Sequence, residues 1–188
     1  MNYRDQQPSP PRPFPRSYWV KAGSLLAGYY PGSTDPGEEA SKLQRLLECG
    51  VSRIINLVER YEITLAGVAV VDYTDALMEQ AFATDRDVCI CRFPVQDMSV
   101  PDHKTMREIL DTIDMAIAEG ELVYVHCLGG LGRTGTVIGC WLARHAYATG
   151  EEVLATIESL RRDDAKRFSA SPQTWEQCEF VKRWIPGE

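Results

Sequence analysis

The chain has 188 residues, 44% of them hydrophobic and 25% charged, which suits one folded domain with a sizeable core and excludes wholesale disorder. A net charge of −7 excludes a dedicated nucleic-acid or anionic-membrane binder, because such proteins need summed positive charge to displace counterions. A local basic pocket for one phosphate group stays open.

Residues 1–16 hold Pro8, Pro10, Pro11, Pro13 and Pro15 among polar residues, which predicts a flexible extended tail ahead of a single domain over 17–188. No signal-peptide core and no membrane-length apolar run is read, so a cytoplasmic location is expected, with no membrane partner and six free thiols. "YWVKAGSLLAGYYPG" predicts two short strands around Gly23. "STDPGEEASKLQRLLECG" places Leu43, Leu46 and Leu47 at helical spacing and stops at Gly50. "VSRIINLV" is a buried strand. Residues 59–87 give two readings, "ITLAGVAVV" extended and "TDALMEQAFATDRD" helical. "VCICRFPV" is a strand, on which Cys89 and Cys91 alternate rather than form a zinc knuckle. "DHKTMREILDTIDMAIAEG" is an amphipathic helix opened by Asp102 and closed by Gly120, and "ELVYVHC" is a strongly apolar strand. Helices are expected over 133–148, 151–162 and 173–184. Alternating strands and helices predict an α/β fold, a mainly parallel central sheet flanked by helices on both faces. Ligands of such sheets bind beyond the carboxyl ends of the strands, where Cys127 sits.

The stretch "VYVHCLGGLGRTGTVIGC" carries the chemistry. Leu128, Gly129, Gly130, Leu131 and Gly132 can curl so that their N–H groups converge on one anion. The start of the following helix adds four N–H groups with no partner within the helix and a positive dipole end. Arg133 adds a planar fork suited to two phosphate oxygens. The same field favours the thiolate form of Cys127, which then stands as a nucleophile beneath the bound phosphate.

"HCLGGLGRTG" resembles the His-Cys-five-residues-Arg-Ser/Thr signature of the cysteine-based protein tyrosine phosphatase superfamily, nearest its dual-specificity-like branch, and the likeness runs from about Tyr18 to Trp184. The resemblance implies a phosphocysteine intermediate on Cys127 and a general acid on a separate loop. "RFPVQDMSVPD" offers Asp97 as that acid, protonating the leaving oxygen and then taking a proton from water; Asp102 is its rival and reads instead as a helix cap. By the same resemblance Thr134 donates to the sulfur as it departs, His126 supports the loop, and "SPQTWEQCEFV" makes Gln173 and Gln177 candidates for placing the hydrolytic water. Trp175, Phe180 and Trp184 are expected to pack in the core, and "RRDDAKRF" is expected to be a solvated turn.

The leading reading is a metal-independent phosphomonoesterase acting on phosphotyrosine, with phosphoserine and phosphothreonine in its range, in phosphoprotein partners. The two-step displacement calls for no metal and no cofactor, since Arg133 and the loop amides meet the developing charge. An inositol-phosphate or phosphoinositide phosphatase is the first alternative. Its relatives often place lysines in the loop, where this chain has Leu128 and Leu131. A phosphate-binding pseudophosphatase would usually lack the cysteine, the arginine or the acid, and all three are present. A rhodanese-type sulfurtransferase has no need of Asp97 or the Gln173 motif, and low-molecular-weight phosphatases carry their cysteine near the N-terminus. Segment 59–87 is where substrate selection could reside.

Overall fold

The central strands are near-continuous apolar runs, so each strand must bury two faces. The computed structural model, which describes residues 10–64 and 66–188, does this with one five-stranded sheet covered on both sides. In chain order the elements are β1 (Ser17–Lys21), β2 (Leu25–Gly28), α1 (Pro36–Glu48), β3 (Val51–Asn56), α2 (Thr74–Ala83) and β4 (Cys89–Arg92). Then follow α3 (His103–Ala118), β5 (Leu122–His126), α4 (Gly132–Arg144), α5 (Glu151–Leu160) and α6 (Trp175–Arg183). The strand order is β1-β2-β5-β3-β4; β1 pairs antiparallel with β2, and every other pairing is parallel. The mainly parallel sheet read from the sequence is the observed fold.

Strand periodicity sorts the core. Leu25, Ala27, Ile55, Val123 and Val125 face one side with Ile109, Ile113, Val137, Ile138 and Trp141. Leu26, Ile54 and Tyr124 face the other with Leu43, Leu46, Leu47, Tyr73 and Leu77. So α3 to α6 cover one face, and α1 and α2 the other. Each fully buried Leu or Ile contributes about 1.5–3 kcal/mol through area removed from water. Helix ends follow their cap chemistry. Asp35 accepts from Gly37 N at 2.8 Å and Glu38 N at 2.9 Å to start α1, with Pro36 at its first position. Gly50, at φ 92, turns the chain out of α1 into β3.

Register sets the level of the site. Asn56 lies opposite both Arg92 and His126, so β3, β4 and β5 end side by side at their carboxyl ends. The helix directly after β5 is the most enclosed of the helices described, with Gly132 to Ala143 all buried.

Three local expectations are revised and one ambiguous segment is resolved. Pro10–Arg16, placed in the flexible tail by proline content, packs on the domain: Phe14 is buried, Trp19 Nε1 donates to Pro10 O at 2.8 Å, and Arg12 donates to Asp163 O at 2.8 Å. Phe14 supplies the apolar anchor that the proline count concealed; the rest of the expected tail, residues 1–9, lies outside the described residues. In segment 59–87 the apolar run forms a small hairpin with one bridge, Ile63 to Ala69, and the polar half forms α2. The helix expected to reach 148 ends at Arg144, because Ala146 turns into the left-handed region at φ 55. Trp175, expected in the core, is 76% exposed at the start of α6, whereas Trp184 is buried and Phe180 packs partly against the core.

Candidate active site

Cys127 follows β5 directly and is buried at the floor of a loop that ends where α4 begins. The loop turns because Gly130 sits at φ 68, and a Cβ there would lie 2.6 Å from the Gly28 carbonyl carbon. No other residue type fits this close approach to β2. The loop's carbonyls are held outward: Leu128 O accepts from Tyr30 N at 3.2 Å, Gly129 O from Arg16 Nη2 at 2.6 Å, and Leu131 O from Ser171 Oγ at 2.9 Å. Across a trans peptide the next N–H points the opposite way. Gly130 N–H accordingly donates to Cys127 Sγ at 3.2 Å. Leu131 gives α4 no side-chain cap, and the first N–H of the helix, that of Gly132, is met from outside by Gln173 Oε1 at 3.1 Å.

Arg133 enters from the first turn of α4 and is buried. Its end-on face is filled: Nη1 donates to Glu62 Oε2 at 2.6 Å and Nη2 to Glu62 Oε1 at 2.8 Å, a two-pronged pair of buried groups. Nη1 also donates to Val95 O at 3.0 Å. Nε is buried with no hydrogen-bond partner among the described residues. The Nε–Nη2 edge is therefore the side left for an oxyanion, and Asp97 Oδ1 stands beside it, 3.0 Å from Nη2. Burial alone would lower the pKa of Arg133, but Glu62, together with the facing Cys127 and Asp97, raises it above the ordinary arginine value. The cation is permanent.

Sequence reading did not single out Glu62. It lies in the hairpin beyond β3, a segment whose fold was ambiguous, and its one signal was an acidic residue beyond the carboxyl end of a buried strand. Three more groups frame the loop. Burial lowers the pKa of His126 to about 3, so its imidazole is neutral. Nδ1–H donating to Cys127 O at 3.3 Å leaves Nε2 to accept the Tyr73 hydroxyl at 2.7 Å, which fixes the tautomer from the hydrogen-bond network. The Thr134 hydroxyl, in the first turn of α4, is buried with no partner among the described residues.

The two aspartates separate cleanly. Asp97 is 47% exposed on the loop after β4 and reaches Arg133. Asp102 caps α3, accepting from Thr105 N at 2.7 Å, and that hydrogen bond holds its carboxyl below the usual range. The two glutamines also differ. Gln173 Oε1 accepts from Gly132 N at 3.1 Å and so reaches the loop itself. Gln177 is buried and spent on structure: its Oε1 accepts from Gln173 N and Thr174 N, and its Nε2 donates to Ser99 O at 2.9 Å. That last bond ties the acid-bearing loop to α6. Arg161, from the basic run, is buried and holds Lys166 O and Ser169 O at 2.8 Å, a structural role rather than a solvated one.

Comparisons with known proteins agree with this geometry. The family model "Polymorphic toxin system, DSP-PTPase phosphatase" matches residues 30–147, well over half of the chain. The phosphatidylglycerophosphate phosphatase PTPMT1 of Arabidopsis thaliana is 28% identical over 121 residues, covering 64% of this chain and 32% of that protein. The dual specificity protein phosphatase CDC14B of Mus musculus is 37% identical over 104 residues, covering 51% of this chain and 21% of that protein. The chain thus spans about a third or less of the length of these curated relatives. The crystal structure of Tk-PTP in the active form superposes with a TM-score of 0.65 at 24% identity, covering 91% of this chain and 97% of the other, which bears on the fold.

Proposed function

The chain belongs to the DSP-PTPase phosphatase family, and we propose that it hydrolyses phosphomonoesters on tyrosine, and on serine and threonine, in proteins through a phosphocysteine on Cys127. The observation that carries this reading is the placement of three groups: the Cys127 sulfur under the Gly130 amide, the Nε–Nη2 edge of Arg133, whose Nε has no partner among the described residues, and Asp97 beside that edge. In the first step the Cys127 thiolate attacks phosphorus and the bond to the leaving oxygen breaks. Asp97 gives that oxygen its proton. Arg133 and the loop amides take up the charge that grows on the equatorial oxygens. In the second step water attacks, Asp97 accepts its proton, and the P–S bond breaks while Thr134 donates to the departing sulfur. Gln173 orients the water, a role supported by its contact with the loop at Gly132 N.

A protein monoester fits the loop's variable positions, where the apolar Leu128 and Leu131 offer no cation to further phosphates. Leu128 also lines a cavity of about 130 Å³ with Tyr30, Thr64, Val70 and Val71, beside the loop. A second reading, a phospholipid headgroup, draws on the PTPMT1 relative and on apolar side chains beside Glu62: Tyr61 is 87% and Ile63 64% exposed. Assay in EDTA of phosphotyrosine peptides against vesicles carrying a phosphomonoester lipid decides between them. A kcat/KM for vesicles at least tenfold above that for every peptide would replace the first reading by the second.

A further inference from the structure

We propose that Arg16 is a positioning residue of the anion-binding loop: it holds the 129–130 peptide so that the Gly130 N–H faces the Cys127 sulfur. The proposal rests on the reading of Cys127 as nucleophile. Arg16 Nη2 donates to Gly129 O at 2.6 Å, and the N–H of the same peptide unit donates to Cys127 Sγ at 3.2 Å on the opposite side. One cation therefore grips the outer end of the dipole whose inner end meets the thiolate.

Steric constraint cannot do this work at the first glycine. A Cβ at Gly129 would meet nothing within 4 Å, so on that side the peptide is free to turn. Gly130 is packed against Gly28 and Tyr29, which fixes its position but not the direction of the carbonyl before it. Arg16 supplies the direction. A positive charge on the carbonyl also polarises the amide and strengthens its donation to sulfur.

Arg16 is itself prepared for the role. Its guanidinium lies over the Tyr29 ring, 4.3 Å from the centroid, and its backbone carbonyl accepts from Tyr29 N at 3.3 Å. Phe14 packs edge-on against Tyr29 at 5.4 Å and Tyr124 at 6.0 Å, anchoring the segment that delivers the arginine. Among the described residues no carboxylate pairs with Arg16, so its charge is directed at the carbonyl. The other groups facing Cys127 are Arg133, with Glu62 and Asp97 on it, the neutral His126, and the Tyr18 and Tyr124 hydroxyls. A change at position 16 leaves all of them in place. Lys42 stands 5.0 Å from the Tyr29 ring and is likewise unaltered.

The test measures binding of tungstate, an unreactive oxyanion, by calorimetry, and the pH dependence of Cys127 alkylation by iodoacetamide. Wild type is compared with Arg16→Ala, Arg16→Lys and Arg12→Ala. Arg16→Ala should weaken tungstate binding about tenfold, the scale of one hydrogen bond to a charged group, and move the alkylation midpoint to higher pH than in wild type. Arg16→Lys should recover most of both, since an ammonium can still donate to Gly129 O. Arg12→Ala, which loses only bonds to Ser17 O and Asp163 O, should match wild type. Equal losses in Arg12→Ala and Arg16→Ala would mean that tail packing, not the carbonyl contact, is responsible, and would overturn the proposal. Tungstate binding by wild type that Arg16→Ala leaves unchanged overturns the proposal alone. A wild-type chain that binds no tungstate overturns the phosphatase reading together with it.

Discussion

Glutamine at position 62 would keep the shape of the glutamate and remove its charge. In the native pair both prongs of Arg133 meet an oxygen, at 2.6 and 2.8 Å. After Glu62→Gln one prong faces an amide NH₂, donor against donor. At least one charge-assisted hydrogen bond is lost, about 1.5–3 kcal/mol, and the buried cation keeps the amide oxygen at position 62, Val95 O and the half-exposed Asp97. Arg133 must be held still for the transition state, so the loss should appear in kcat/KM. At about 1.4 kcal/mol per factor of ten, the fall should be roughly 10- to 150-fold. Glu62→Ala should also destabilise the fold by about 3–5 kcal/mol, because it leaves the buried guanidinium with the half-exposed Asp97 in place of a buried, two-pronged counter-charge. Hydrolysis of para-nitrophenyl phosphate and urea denaturation of both variants are the assays. A Glu62→Gln enzyme with wild-type kcat/KM and tighter inhibition by phosphate would refute the reasoning, since Glu62 would then be a competitor for Arg133 rather than its support.

Cys127→Ser should abolish para-nitrophenyl phosphate hydrolysis in EDTA, and near wild-type turnover would remove Cys127 as nucleophile. Asp97→Asn should lower kcat by roughly 10²–10⁴-fold on a phosphotyrosine peptide, with a smaller loss on para-nitrophenyl phosphate, whose leaving oxygen needs less protonation. Asp102→Asn should leave kcat near wild type, because asparagine caps α3 about as well; a crippled Asp102→Asn would reverse the acid assignment. His126 titrates at about 3 in the fold against an ordinary 6.5, so between these values the unfolded chain binds the extra proton and stability falls as pH drops. From pH 6.5 to 5 the loss should be between about 1 and 2 kcal/mol by urea denaturation, and His126→Asn should remove that part of the slope.

Local signals carried most of the fold because they agree with the packing. Asp35, Asp102 and Gly50 mark helix boundaries by chemistry that acts within a few residues. Ile54 and Ile55, apolar in succession, show a strand buried on both faces. The loop from Cys127 to Arg133 was legible for the same reason, since strand, glycines, arginine and helix start are contiguous. Glu62 and Arg16 were not, because each acts on that loop from 71 and 113 positions away. Only the sheet brings them there. Phe14 and Trp175 misled in opposite directions: one aromatic hidden among prolines is anchored by Tyr29 and Tyr124, while the other opens a helix on its solvent side.

The level ending of β3, β4 and β5 has a consequence for how such a chain can change length. From that common line, marked by Asn56, Arg92 and His126, depart the hairpin with Glu62, the loop with Asp97, and Cys127. One residue inserted within any of the three strands would advance its passenger by about 3.3 Å and turn it to the other face. The protein could still fold while its functional groups no longer met. At the opposite rim no such indexing applies. The turns at Gly50 and Gly120 enter β3 and β5 from the far end, so added segments there would leave every departure point where it was. A transposon scan should therefore recover active enzyme with insertions at those two glycines and none with insertions inside the three strands.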